Sequence, residues 1–171
     1  MDILQTVAQA LGIVAVILGF ISFQVKTDKQ LLFVHAVICA VFSAHYYLLG
    51  AIPAAVLNAV GVTRNIFYLC KDKKFYNPKL FPILFALIML FLGIFSANGI
   101  HSVLVIAGLV INTVCLSFRN AQNVRKSVLV TCPMVLLYDI IEKSFGGVIF
   151  ESVSMISAFI GIMRYRKIQS K

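Results

Sequence analysis

Residues 80–95 read LFPILFALIMLFLGIF and contain no polar side chain. A helix that is apolar on every side has no face to offer water, so it lies either in a protein core or in lipid. The rest of the chain decides between the two. Of its 171 residues 61% are hydrophobic and 12% are charged, against roughly 25% charged in a soluble domain. A chain of this length can bury one core in water, but it cannot hide that much apolar surface, so lipid is its solvent.

Six more apolar stretches flank this one, at 3–25, 31–49 and 54–70 before it and at 102–118, 127–141 and 148–163 after it. At about 1.5 Å of rise per residue they match or nearly match a hydrocarbon core of about 30 Å. The shorter ones need an extra turn or a locally thinner bilayer. The first stretch lacks the positive n-region of a secretory signal: Asp2 precedes it, and Lys26 and Lys29 follow it. It therefore reads as a span with its N-terminus outside.

Basic residues support seven spans. With the N-terminus outside, the inside segments hold Lys26, Lys29, Lys71, Lys73, Lys74, Lys79, Arg119, Arg125, Lys126, Arg164, Arg166, Lys167 and Lys171, which is 13 of the 15 Lys and Arg. Lys143 falls outside and Arg64 within the third stretch. The outside connections, 50–53, 97–101 and the residues around Gly146 and Gly147, are short and turn-like. They make successive helices antiparallel neighbours and leave no room for a soluble domain.

These observations exclude several function classes. The net charge of +9 sits in loops between spans rather than on one face, which argues against a nucleic-acid partner. Cys39, Cys70, Cys115 and Cys132 stand singly, without CxxC spacing, and read as small buried hydrophobes rather than metal ligands or disulfides. No GxSxG, HExxH, P-loop or GxGxxG is present, so neither an enzyme nor a cofactor is expected. The expected partners are the bilayer and a small polar metabolite.

The chain also repeats itself. Ile21-Ser22-Phe23 and Leu116-Ser117-Phe118 each close a span before a basic loop, and each is followed by a span, a Gly-bearing turn at Gly50 or Gly146, and a third span, at an offset of 95 to 96 residues. The expected fold is an all-α membrane protein of seven transmembrane helices, with two parallel three-helix bundles (1–79 and 100–171) joined by a linker helix (80–99).

Polar residues mark inward faces. Asn58, Gly61 and Asn65 share one face of the third span; Gly108, Asn112 and Cys115 share one of the fifth; Ser154, Ser157 and Gly161 share one of the last. Amides in hydrocarbon need partners, so these faces turn inward, either to bind a substrate or as interhelical glue. Ala8, Gly12, Ala15, Gly19 and Ser22 form a small-residue stripe for helix packing, with Gln9 beside it as a candidate ligand contact. His45, Asp139, Glu142 and Glu151 are placed at similar depth as a polar outer vestibule that could attract cations or relay protons. Arg64 is read as a side chain that snorkels to the interface. Tyr46, Tyr47, Tyr68 and Tyr138 are read as an aromatic belt, and His35 and His101 as interfacial residues.

AQALGIVAVILGF at 8–20, HYYLLGAIPAAVLNA at 45–59, and Phe150-Glu151-Ser152 followed by Arg164 resemble the YgjV-type bacterial inner-membrane proteins over nearly the whole chain. Their three-one-three arrangement is similar to that of the SWEET, semiSWEET, PQ-loop and KDEL-receptor group. The resemblance implies a central pocket between two bundles, with a substrate-binding Asn on a bundle's third helix, the place of Asn58 and Asn65. The chain departs from that group in lacking a proline in its first and fifth spans. Its only mid-span proline is Pro133, so the Pro-Gln hinge of that group has no counterpart. The sequence thus points to a transporter or facilitator of a small polar metabolite through a site formed by Asn58, Asn65, Asn112, Ser154, Ser157 and Gln9. The rival reading is a non-transporting binding or assembly protein of the same fold group.

Overall fold

A computed structural model of the chain describes residues 3–22, 27–70, 77–116 and 121–169. Among these residues seven helices follow one another: α1 (Ile3–Ser22), α2 (Asp28–Leu49), α3 (Ile52–Leu69), α4 (Leu80–Ser96), α5 (Ser102–Cys115), α6 (Ala121–Ile141) and α7 (Phe145–Gln169). Residues 23–25 and 117–118 of the expected spans lie outside the described residues, as do the loop residues Lys26, Lys71, Lys73, Lys74, Arg119 and Lys171. Among the described residues, four segments are individually long and apolar enough to cross a membrane: α1, Lys29–Leu49 of α2, α3, and Phe145–Met163 of α7. Helices α4 and α5 are apolar but shorter. Helix α6 begins earlier than the apolar stretch at 127–141 and takes in Arg125, whose side chain packs over Gly161 of α7.

Local chemistry sets the helix ends. At the end of α2, Gly50 adopts φ 79°; its N–H donates to the Tyr47 carbonyl at 3.1 Å, and the Ala51 N–H donates to that of Tyr46 at 2.9 Å. This is the left-handed cap that glycine adopts without steric cost. The end of α6 repeats the pattern with Lys143 at φ 56°, its N–H bonded to Ile140 at 3.3 Å and that of Ser144 to Asp139 at 2.9 Å. A side chain in that conformation costs about 1–2 kcal/mol. Pro53 then sits in the first turn of α3, where its missing N–H costs nothing. The Ser144 hydroxyl accepts from the Gly147 N–H at 3.1 Å to cap α7.

Packing follows chain order around a ring. Each helix lies against the next, α7 closes back on α1, and α3 also touches α5. Among the described residues, helix α4 therefore packs on α3 and α5 alone. It buries Pro82, Phe85, Met89 and Gly93 and leaves Ile83, Leu87, Phe91, Ile94 and Phe95 exposed. Among the described residues α1 does not meet α3, and α5 does not meet α7. Each of the expected three-helix groups is thus an arc of one ring, with its middle helix between the other two.

The ring closes where side chains vanish. Ala8, Gly12, Ala15, Gly19 and Ser22 are the buried residues of α1. A Cβ on Gly146 would collide with the Gly12 Cα, and one on Gly19 would come within 2.7 Å of the Phe150 ring. Between helices in lipid the gain is packing contact, and small residues permit it by letting backbones approach. Gly146→Ala is therefore expected to force α1 from α7 and lower stability by about 1–3 kcal/mol, whereas Lys143→Gly, by relieving the left-handed cap, should raise it by about 1 kcal/mol. Thermal unfolding in detergent reads both, and equal melting temperatures for the two variants would contradict this account.

Candidate functional site

Two buried polar clusters lie inside the ring. The first sits at the end where α2 and α6 finish. His45 and Asp139 are both fully buried there, so they do not line an open mouth. The Ala8 carbonyl of α1 can only accept, so the His45 Nδ1–H donates to it at 2.6 Å. For a neutral imidazole this leaves Nε2 as an acceptor for the Ser144 hydroxyl at 2.7 Å. Tyr46 donates its hydroxyl to Asp139 Oδ1 at 2.6 Å, and Asp139 Oδ2 is buried without a hydrogen-bond partner. The backbone of Gly147 presses on that carboxyl group, since a Cβ there would lie 2.5 Å from Cγ.

The rest of the expected vestibule divides. Glu151 lies within electrostatic range of Tyr46 and Asp139 and against Cys132. Glu142 turns away and accepts from His101 Nε2 at 2.9 Å, tying the start of α5 to the end of α6. Gln9 is committed to the turn between α6 and α7: its Nε2 donates to the Lys143 carbonyl at 2.8 Å, and its Oε1 accepts from the Phe145 N–H at 3.2 Å. Around these groups the Phe42 ring stacks on Tyr46 at 5.5 Å and meets Phe150 of α7 edge-on at 5.1 Å, so aromatic rings fill this end between α2 and α7.

The second cluster centres on Arg64. It does not snorkel: the side chain is 4% exposed, and its guanidinium turns to α5, where Nη1 donates to the Thr113 hydroxyl oxygen at 2.6 Å. Nε and Nη2 donate to Asn65 Oδ1 at 3.3 and 3.2 Å, and Asn65 Nδ2 reaches Cys39 Sγ of α2 at 3.6 Å. Thr113 is backed by the Leu109 carbonyl and by Met89 of α4. Among the described residues every hydrogen-bond partner of the guanidinium is neutral, and no carboxylate lies within ion-pair distance of it.

Of the amides singled out from sequence, Asn65 alone enters this network. Asn58, half-buried, donates to the Ala54 carbonyl of its own helix at 2.9 Å. Asn112 is half-buried on α5 beside Thr113, and Ser154 and Ser157 are half-buried on α7. Sequence reasoning missed Tyr46, Ser144, Thr113 and Met89. Of the four tyrosines read as an aromatic belt, only Tyr47 is exposed, while Tyr46, Tyr68 and Tyr138 are buried. Adjacency was the available signal, since Tyr46 follows His45 and Thr113 follows Asn112.

Residues 6–169 of the chain match the Imp-YgjV family, described as bacterial inner membrane protein. No curated protein and no solved structure matches the chain.

Tyr46→Phe removes the one donor to Asp139 among the described residues, and a buried acceptor left unsatisfied costs about 1–3 kcal/mol. Combined with Asp139→Leu, the same change should cost less than the two singles together, with a coupling of about 0.5–3 kcal/mol. Thermal unfolding of the four proteins in detergent measures it, and strictly additive effects would mean that the bond contributes nothing.

Proposed function

The chain belongs to the Imp-YgjV family of bacterial inner membrane proteins, and from that footing we propose that it passes a small polar metabolite between its two halves, α1–α3 and α5–α7. One observation carries the reading: Arg64 is buried among neutral partners. Helices that need only to hold together use amides and hydroxyls, each worth about 0.6–2 kcal/mol. A guanidinium inside a span is far costlier, and such groups mark substrate and ion pathways.

The distribution of contacts supports movement of one half against the other. Gln9 to Lys143 and Phe145, His45 to Ser144, Tyr46 to Asp139 and Arg64 to Thr113 all cross from the first half to the second. Bonds of this kind can be exchanged for bonds to a solute or to water, which close apolar packing cannot. The rival, a binding or assembly protein that transports nothing, draws on the aromatic rings that fill the His45 end. No chemistry on the metabolite is proposed.

The proposed orientation, N-terminus outside and C-terminus in the cytoplasm, rests on the basic loops. A C-terminal alkaline phosphatase fusion is expected to be inactive and a C-terminal fluorescent protein bright; the reverse pattern inverts the topology. For function, purified protein in liposomes is expected to take up at least one small polar metabolite saturably and above the leak of empty liposomes. Uptake indistinguishable from leak across amino acids, sugars and small organic acids would leave the binding reading in its place.

A further inference from the structure

We propose that Arg64, joined by His35 of α2 as a second donor, holds the carboxylate of a small monoanionic metabolite at the meeting of α2, α3 and α5. The inference rests on the transport reading for its purpose but not for its geometry. A guanidinium has five N–H donors. Among the described residues three bonds are made, one each from Nε, Nη1 and Nη2, which leaves one N–H on each terminal nitrogen. A carboxylate offers two oxygens in a plane and matches such a pair of donors side by side.

The surroundings fit an anion and limit its charge. Thr113 and Asn65 fix the guanidinium from two sides without neutralising it. Gly61, one turn before Arg64, lets the Cys39 side chain of α2 pack against α3, since a Cβ there would come within 3.1 Å of Cys39 Sγ and 3.9 Å of Nη2. His35 lies one turn before Cys39 on α2, within electrostatic range of Arg64, half-buried and with no hydrogen bond among the described residues. It supplies a further donor to the same anion. The acids Asp139 and Glu151 belong to the other cluster and do not face Arg64. One fixed positive charge balances one negative charge; a phosphate near neutral pH carries more than one, which favours a monocarboxylate.

The full chain, purified in detergent, is tested by thermal unfolding against acetate, lactate and pyruvate, with inorganic phosphate and glycerol as contrasting probes. The same compounds are then tested for uptake into liposomes. At least one carboxylate is expected to raise the melting temperature saturably, while glycerol and phosphate do not. Arg64→Lys keeps the charge but loses the fork, and should weaken that carboxylate by about tenfold or more. Should that variant fail to fold, His35→Ala, at a half-buried side chain without a hydrogen bond, is expected to weaken it as well. The site is refuted if no carboxylate stabilises the wild-type protein, if phosphate binds in preference, or if His35→Ala and Arg64→Lys bind as the wild type does. Saturable glycerol uptake without any carboxylate effect would sink the anion site and spare the transport reading. Carboxylate binding with no uptake of any probe would keep the site and sink transport.

Discussion

Hydrocarbon offers no hydrogen bonds, so each amide, hydroxyl and charge on these helices binds other protein atoms or goes unsatisfied at a cost of several kcal/mol. That constraint selects the neighbours. His45 is served by α1 and by the turn before α7, Tyr46 by α6, and Arg64 by α5. None of these helices could be rotated about its axis without stranding a buried group. The apolar faces carry no such information, because lipid tails are as good a neighbour as another leucine. In this ring the polar side chains specify the arrangement, and small residues make it reachable.

The Gly12–Gly146 approach shows how the two depend on each other. His45 lies against Gly12, where a Cβ would come within 3.0 Å of the imidazole. The same glycine that admits the backbone of α7 therefore leaves room for the ring that bonds Ala8 on one side and Ser144 on the other. A larger residue would remove the helix contact and the hydrogen bonds together. The closure of α1 on α7 and the first polar cluster are one feature, not two.

Much of the fold was legible because its signals are one-dimensional. Helix extent and the stripe at Ala8, Gly12, Ala15, Gly19 and Ser22 depend on positions along a single helix, and all five stripe residues are buried. The site was less legible because its partners come from distant helices. Tyr46 reads as a belt residue from its place near a span end, and only the approach of α6 turns it into the donor to Asp139. Arg64 looks able to reach the interface from its depth alone. Its actual direction is set by Thr113, a residue that sequence gives no reason to pair with it. Gln9 was legible as an exception on its helix, but not as a clasp on the α6–α7 turn.

The two capped ends refine the internal repeat. Loop pattern alone places the halves 95 to 96 residues apart, yet the matching caps at Gly50 and Lys143 place α2 and α6 in a register of 93, the separation of Tyr46 and Asp139. In that register Tyr46 and Asp139 occupy the same position before their caps, and they bond each other. Residues at equivalent positions meet in this way when the two helices face one another across a shared axis. Cys39 and Cys132 are also equivalent, and each lies against a polar residue of the following helix: Asn65 in the first half, Glu151 in the second. The chemistry around them has separated, with a buried cation on one side, and buried Asp139 and half-buried Glu151 on the other. Helices in matching register thus carry opposite charges at their polar clusters, so the register of the caps fixes backbone geometry without fixing chemistry.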